Sequence, residues 1–134
     1  MMKTFNYFLA LLGFLLLVIS LSAMINKTKI ITPQKVRLSK LVIDSAQLSS
    51  YKVLLKEEIE ASMGKEPGVL TLYAVFEKGQ PTHLTILEIY ASEDAYALHV
   101  KTPHFLKYKN GTLKMVKKLE LIDTEPLIPG LKIK

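Results

Sequence analysis

Hydrophobic and polar positions change their period along the chain, and each change predicts an element. The stretch "QKVRLSKLVID" (34–44) is rich in β-branched residues and reads as a strand. Asp44-Ser45-Ala46-Gln47 then has capping-box spacing, with Gln47 at the third helical position, and predicts a helix start. Leu48, Tyr51, Leu55, Ile59 and Met63 follow at steps of 3, 4, 4 and 4, one apolar stripe of an amphipathic helix. Gly64 suits the position just past the helix end, and Pro67-Gly68 enforces the stop. "VLTLYAVFE" (69–77) reads as a second strand. Its faces, Leu70/Leu72/Ala74/Phe76 and Val69/Thr71/Tyr73/Val75, are both mainly apolar, so both are expected to be covered.

"KGQPTH" (78–83) is a turn signal that places His83 in a turn. "LTILEIY" (84–90) is a third strand, which makes 69–90 a hairpin. Ser92 caps a second helix, with Asp94 near its positive end. Thr102-Pro103 restarts a helical segment through Phe105 and Tyr108, and Gly111 breaks or ends it. "MVKKLELID" (115–123) is the fourth strand. The domain is expected over 33–125, followed by an extended tail with two prolines over 126–134. The order β-α-β-β-α-β predicts an α+β fold of ferredoxin-like type, an antiparallel sheet with helices on one face. The apolar character of the other face predicts burial against a second copy, as a homodimer.

Ahead of this body stands "MMKTFNYFLALLGFLLLVISLSAMINK", in which an apolar run from about Tyr7 to Met24 follows Lys3. Residues 1–26 read as a targeting segment outside the fold, either a cleaved signal peptide or an anchor. The run of about 18 residues is just long enough to span a bilayer. Export is favoured, so the domain is expected in the periplasm or tethered to the membrane. What remains is about 105 residues, enough for one compact domain.

The formal charge of +6 points to nucleic acid only until it is located. Residues 1–40 carry six cations and no acid; residues 41–134 carry twelve Lys against twelve Asp and Glu. The body is neutral, and the excess belongs beside the leader. Arg37 is the chain's only arginine, which argues further against base or phosphate recognition. The absence of cysteine excludes disulfides, thiolate metal sites and a cysteine nucleophile.

No GxGxxG, Walker loop, HExxH or Asp-rich calcium loop is present. His99 and His104 are five apart and so do not share a helix face; no metal and no cofactor is called for. A few polar groups among apolar ones remain. Glu88 alternates with Leu84, Ile86 and Tyr90 on one strand face, as a paired carboxylate or as a desolvated base. His99 is a core imidazole or a proton acceptor in a pocket. His104 suits a helix start at the surface. Tyr73, Tyr90 and Tyr108 form either an aromatic core or the wall of a pocket.

"EIYASEDAYALHVKTPHFLKY" (88–108) resembles the signature of the antibiotic biosynthesis monooxygenase domain family, which includes small bacterial quinol monooxygenases. The likeness rests on Glu88 and Tyr90 at a strand end, a short acidic turn, Ala95, and then His99 and Thr102-Pro103-His104-Phe105. "EPGVLTLYAVFEKGQPTHLTILE" (66–88) is similar to the family's preceding hairpin, and the likeness covers nearly all of 35–125. It implies a ferredoxin-like subunit paired as a dimeric α+β barrel. It also implies oxidation of a quinol or related electron-rich aromatic by O2 without flavin, haem or metal. On this resemblance His99 is the proton acceptor and Glu88 orients it or acts as base. Tyr73, Tyr90 and Phe105 are pocket wall, with His104 and Tyr108 also among the substrate-binding residues. Two departures stand out. Tyr90 occupies a strand-end position that is often Trp, and the first strand lacks the Asn of the haem-degrading relatives. The alternative is a non-catalytic dimeric module that binds an apolar ring, haem among them, at the cell envelope.

Overall fold

The structure is a computed structural model that describes residues 34–129. The leader (1–26) and the last part of the tail lie outside the described residues. No described helix is long and apolar enough to cross a membrane.

The elements follow the expected order: β1 (Lys35–Ile43), a 3-10 turn (Ser45–Gln47), α1 (Leu48–Lys65), β2 (Val69–Phe76), β3 (His83–Tyr90), α2 (Glu93–His99), α3 (Pro103–Thr112) and β4 (Val116–Thr124). The four strands form one antiparallel sheet in the order β2-β3-β1-β4, the ferredoxin-like arrangement. His83 opens β3 rather than sitting in the preceding turn, because its backbone carbonyl already accepts the ladder bond from the Glu77 amide.

Helix α1 departs from its expected ends. The Asp44 side chain accepts from the Ala46 amide and caps the 3-10 turn, while the Gln47 amide group reaches to the Lys114 carbonyl instead of back to residue 44. No reciprocal capping box forms. At the far end Gly64 lies inside the helix, and Glu66 is the first extended residue. The buried stripe runs through Tyr51, Leu55, Glu58 and Ser62, and Met63 is exposed. Helix α3 likewise passes through Gly111 and ends one residue later.

The register sorts the sheet into two faces. Leu41, Ile43, Leu84 and Ile86 point to the helices and pack with Tyr51 and Leu55 as the core, joined by Ala74 and Phe76. Partner parity puts Arg37, Ser39 and Glu88 on this same face, because side chains alternate every residue along a strand. Tyr73 and Val75 fall on the opposite face, where no described helix lies, and they are 66% and 45% exposed. Gly68 sits where α2 crosses the start of β2. A Cβ there would stand 2.7 Å from that of Ala95, too close for any other residue without movement of the helix.

Candidate active site

A cavity of about 580 Å3 lies between the covered face of the sheet and the helices, lined from all four strands and all three α-helices. Its walls are mostly apolar, and two groups of polar side chains break them.

The first group belongs to the sheet. Glu88 projects inward because it shares parity with Leu84 and Ile86. Its Oε1 accepts from the Ser39 hydroxyl on the neighbouring strand, and its Oε2 accepts from the Tyr90 hydroxyl at 2.9 Å. Burial pushes the Tyr90 phenol up, and the adjacent Glu88 charge adds to this. Arg37 closes this side: Nε donates to Asp123 at 2.9 Å and Nη1 to the Tyr96 hydroxyl at 2.7 Å.

The second group belongs to the helices. His99 ends α2, and its carbonyl accepts from the Thr102 hydroxyl at 2.8 Å, which turns the chain. Thr102 also caps α3, with Pro103 at its first turn, as Ser92 caps α2. The turn carries His104 back toward His99. Both imidazoles meet Glu66 at the end of α1: Oε1 lies 3.0 Å from His99 Nδ1 and 2.5 Å from His104 Nε2. On the other side of His99, Nε2 lies 3.6 Å from Oε1 of Glu58, which also accepts from the Ser62 hydroxyl at 2.8 Å. Phe105 packs edge-on to the His99 ring at 4.9 Å between centroids, and Tyr90 lies 5.3 Å away.

The two carboxylates of the helix group differ in charge preference. Glu58 is only 5% exposed, and burial pushes its carboxyl above the usual range, outweighing Ser62 and the imidazoles. Burial acts on Glu66 in the same direction, but hydrogen bonds from His104 and His99 outweigh it and hold the carboxyl below the usual range. Glu66 is therefore the anionic anchor of the pair. With Nδ1–H donating to it, His99 keeps its Nε2 lone pair as an acceptor, a tautomer inferred from the hydrogen-bond network. The Tyr108 hydroxyl stands 2.6 Å from that of Tyr51, and burial pushes its phenol up to about 12.

His99, Glu88, Tyr90, Phe105 and Tyr108 thus line one cavity. Tyr73 does not: it stands on the opposite face of the sheet, which corrects its place in the pocket wall. His104 stands behind His99 rather than in the cavity lining and borders a separate hollow of about 170 Å3. Glu88 makes no hydrogen bond to His99. The carboxylate that holds this imidazole is Glu66, so the expected orienting role of Glu88 is corrected. Glu58, Ser62, Ser39, Arg37 and Tyr96 were not singled out from the sequence. A signal for the first two existed. Tyr51, Leu55, Glu58 and Ser62 follow at steps of 4, 3 and 4, a helical stripe in which a carboxylate and a hydroxyl occupy inward positions.

A ferredoxin-like sheet with an apolar cavity under its helices, and a carboxylate-held imidazole in the wall, places the chain among small ferredoxin-like α+β proteins. The sequence profile of the family described as Antibiotic biosynthesis monooxygenase matches residues 39–111. Among solved structures, a candidate antibiotic biosynthesis monooxygenase from Bacteroides thetaiotaomicron is 64% identical over 76% of this chain and 97% of its own, with a TM-score of 0.75. A candidate monooxygenase from Lactobacillus acidophilus is 31% identical over 66% of this chain and 42% of its own, with a TM-score of 0.65. A Nitrosomonas europaea structure of the same description is 18% identical, covers 72% and 92%, and has a TM-score of 0.67; it shows the fold alone. No curated protein matches the chain significantly. The chain belongs to the antibiotic biosynthesis monooxygenase family and has its monooxygenase-like fold.

Proposed function

We propose that the protein is a monooxygenase that oxidises a quinol or related electron-rich aromatic with O2 and without flavin, haem or metal. The observation that carries the reading is His99 in the cavity wall, with Nδ1 held by Glu66 and aromatic rings on its flanks. A cavity of about 580 Å3 lies within the usual size range of small-molecule sites and suits a ring system of two or three fused rings. His99 Nε2 takes the phenolic proton. The anion is electron-rich enough to pass an electron to O2, and the radical pair closes to a C–O bond. The O–O bond then breaks: one oxygen stays in the hydroxylated quinone and the other leaves as water, with all electrons drawn from the quinol. Glu66 keeps the imidazole in the accepting tautomer and stabilises the imidazolium. The apolar walls exclude water from the reactive adduct. Glu88 is the polar anchor opposite.

The leader supports a place at the cell envelope, close to membrane quinols. The open sheet face supports a homodimer through sheet-to-sheet packing, since Tyr73 and Val75 stand exposed beside half-buried Leu87.

The test is O2 uptake by the full chain with a panel of reduced naphthoquinols, set against autoxidation without protein and against His99→Ala. Uptake catalytic in protein and lost in the variant is expected. Background-level uptake across the panel, with stoichiometric ligand binding instead, would replace the enzyme with the ring-binding module.

A further inference from the structure

The convergence of Glu66, His99 and His104 admits a second use. We infer that these three residues form a binding site for a divalent transition-metal cation of the zinc class, clipping the end of α1 to α2 and α3. His99 and His104 stand five residues apart, but on different helices, so the helix-face argument against a shared ligand does not hold. One donor atom from each residue lies within 4.8 Å of the other two. A tetrahedral cation with bonds of about 2.0–2.1 Å sets its donors about 3.3 Å apart. The observed contacts from Glu66 Oε1, 3.0 Å to His99 and 2.5 Å to His104, would open by less than about 1 Å, and the two imidazole donors, within 4.8 Å of each other, would close by at most about 1.5 Å.

The donor set selects the ion. Two imidazole nitrogens and one carboxylate oxygen suit zinc and its neighbours rather than the hard cations, which prefer all-oxygen shells. An outer support is also in place. Ligating histidines commonly direct their second ring nitrogen to a carboxylate, and His99 Nε2 faces Glu58 at 3.6 Å. His104 also borders the smaller hollow, beside Glu58.

One consequence rests on the proposed reaction. A cation on Nδ1 leaves the hydrogen on Nε2, so the same imidazole no longer accepts a proton from the cavity. Zinc then inhibits turnover, and a chelator restores it.

The site is read directly by titrating Zn2+ into the metal-free full chain in competition with a zinc-chelating dye. Saturable uptake of one zinc per chain is expected. Glu66→Gln and His104→Gln should each weaken it about tenfold or more, the latter because an amide can still donate to Glu66 yet is a poor ligand. His83→Ala, at the start of β3, should leave it unchanged. A folded chain that takes up no zinc saturably, or one whose uptake survives both variants, would overturn the site. The dye titration reads metal whether or not quinol is oxidised, so failure of the enzymatic reading is seen separately.

Discussion

The cavity has two polar walls, and they are built by different means. On the sheet wall, Glu88 is held by Ser39 from the adjacent strand and by Tyr90 two residues along its own strand. Both partners are placed by strand pairing and parity, and both carboxylate oxygens are already engaged. On the helix wall, His99 meets Glu58 from near the middle of α1 and Glu66 from just past its end, while His104 comes from the start of α3. That wall is assembled across three helices, mostly at their ends, and its carboxylates have opposed charge preferences. On the proposed reaction, the helix wall carries proton transfer and the sheet wall anchors the substrate.

The largest expected effect breaks or secures this assignment. His99→Ala should lower quinol turnover by about 10²–10⁴-fold, the usual worth of a positioned general base, with the fold retained by circular dichroism. Glu88→Gln should cost much less, since an amide oxygen can still accept from Ser39 or Tyr90. Equal losses in the two variants would move the base to the sheet wall.

Glu66→Gln sharpens the comparison at a smaller scale. It keeps an acceptor for His99 but removes the anion that stabilises the imidazolium. A loss of about 10–100-fold in kcat with little change in KM is expected, because Glu66 positions a base and does not line the cavity. A rise in KM at constant kcat would instead show a role in binding.

The two walls were also unequally legible in the sequence. Parity along β3 puts Glu88 with Leu84, Ile86 and Tyr90 from the sequence alone, and the observed register agrees. The caps at Ser92 and Thr102 were legible because capping is local chemistry. Tyr73 was ambiguous for a physical reason: both faces of β2 are apolar, so alternation could not say which one the helices cover. The helix wall was the least legible. Glu66 lies 33 residues from His99 and 38 from His104, and only the packing of three helix ends joins them. The apolar residues of α1 alone give a stripe through Ile59 and Met63, whereas the buried stripe passes through the polar Glu58 and Ser62.

The smallest effect concerns the stability of the helix wall. Burial raises the Glu58 carboxyl above its ordinary 4.5, so the native state holds a proton that the unfolded chain has lost. Stability from this group is therefore greatest below pH 4.5 and declines as pH rises through the raised native value. Glu58→Gln removes the titration while an amide oxygen remains to accept from Ser62. The variant should match the parent in acid and gain about 0.5–2 kcal/mol at neutral pH, read by denaturant unfolding across the pH range. A gain that is independent of pH would mean that packing, not charge, is what Glu58 costs the fold. A loss at neutral pH would mean that the ionised carboxylate is held by the imidazoles more tightly than burial opposes it, and the helix wall would then be a closed ion network rather than a site poised to exchange protons.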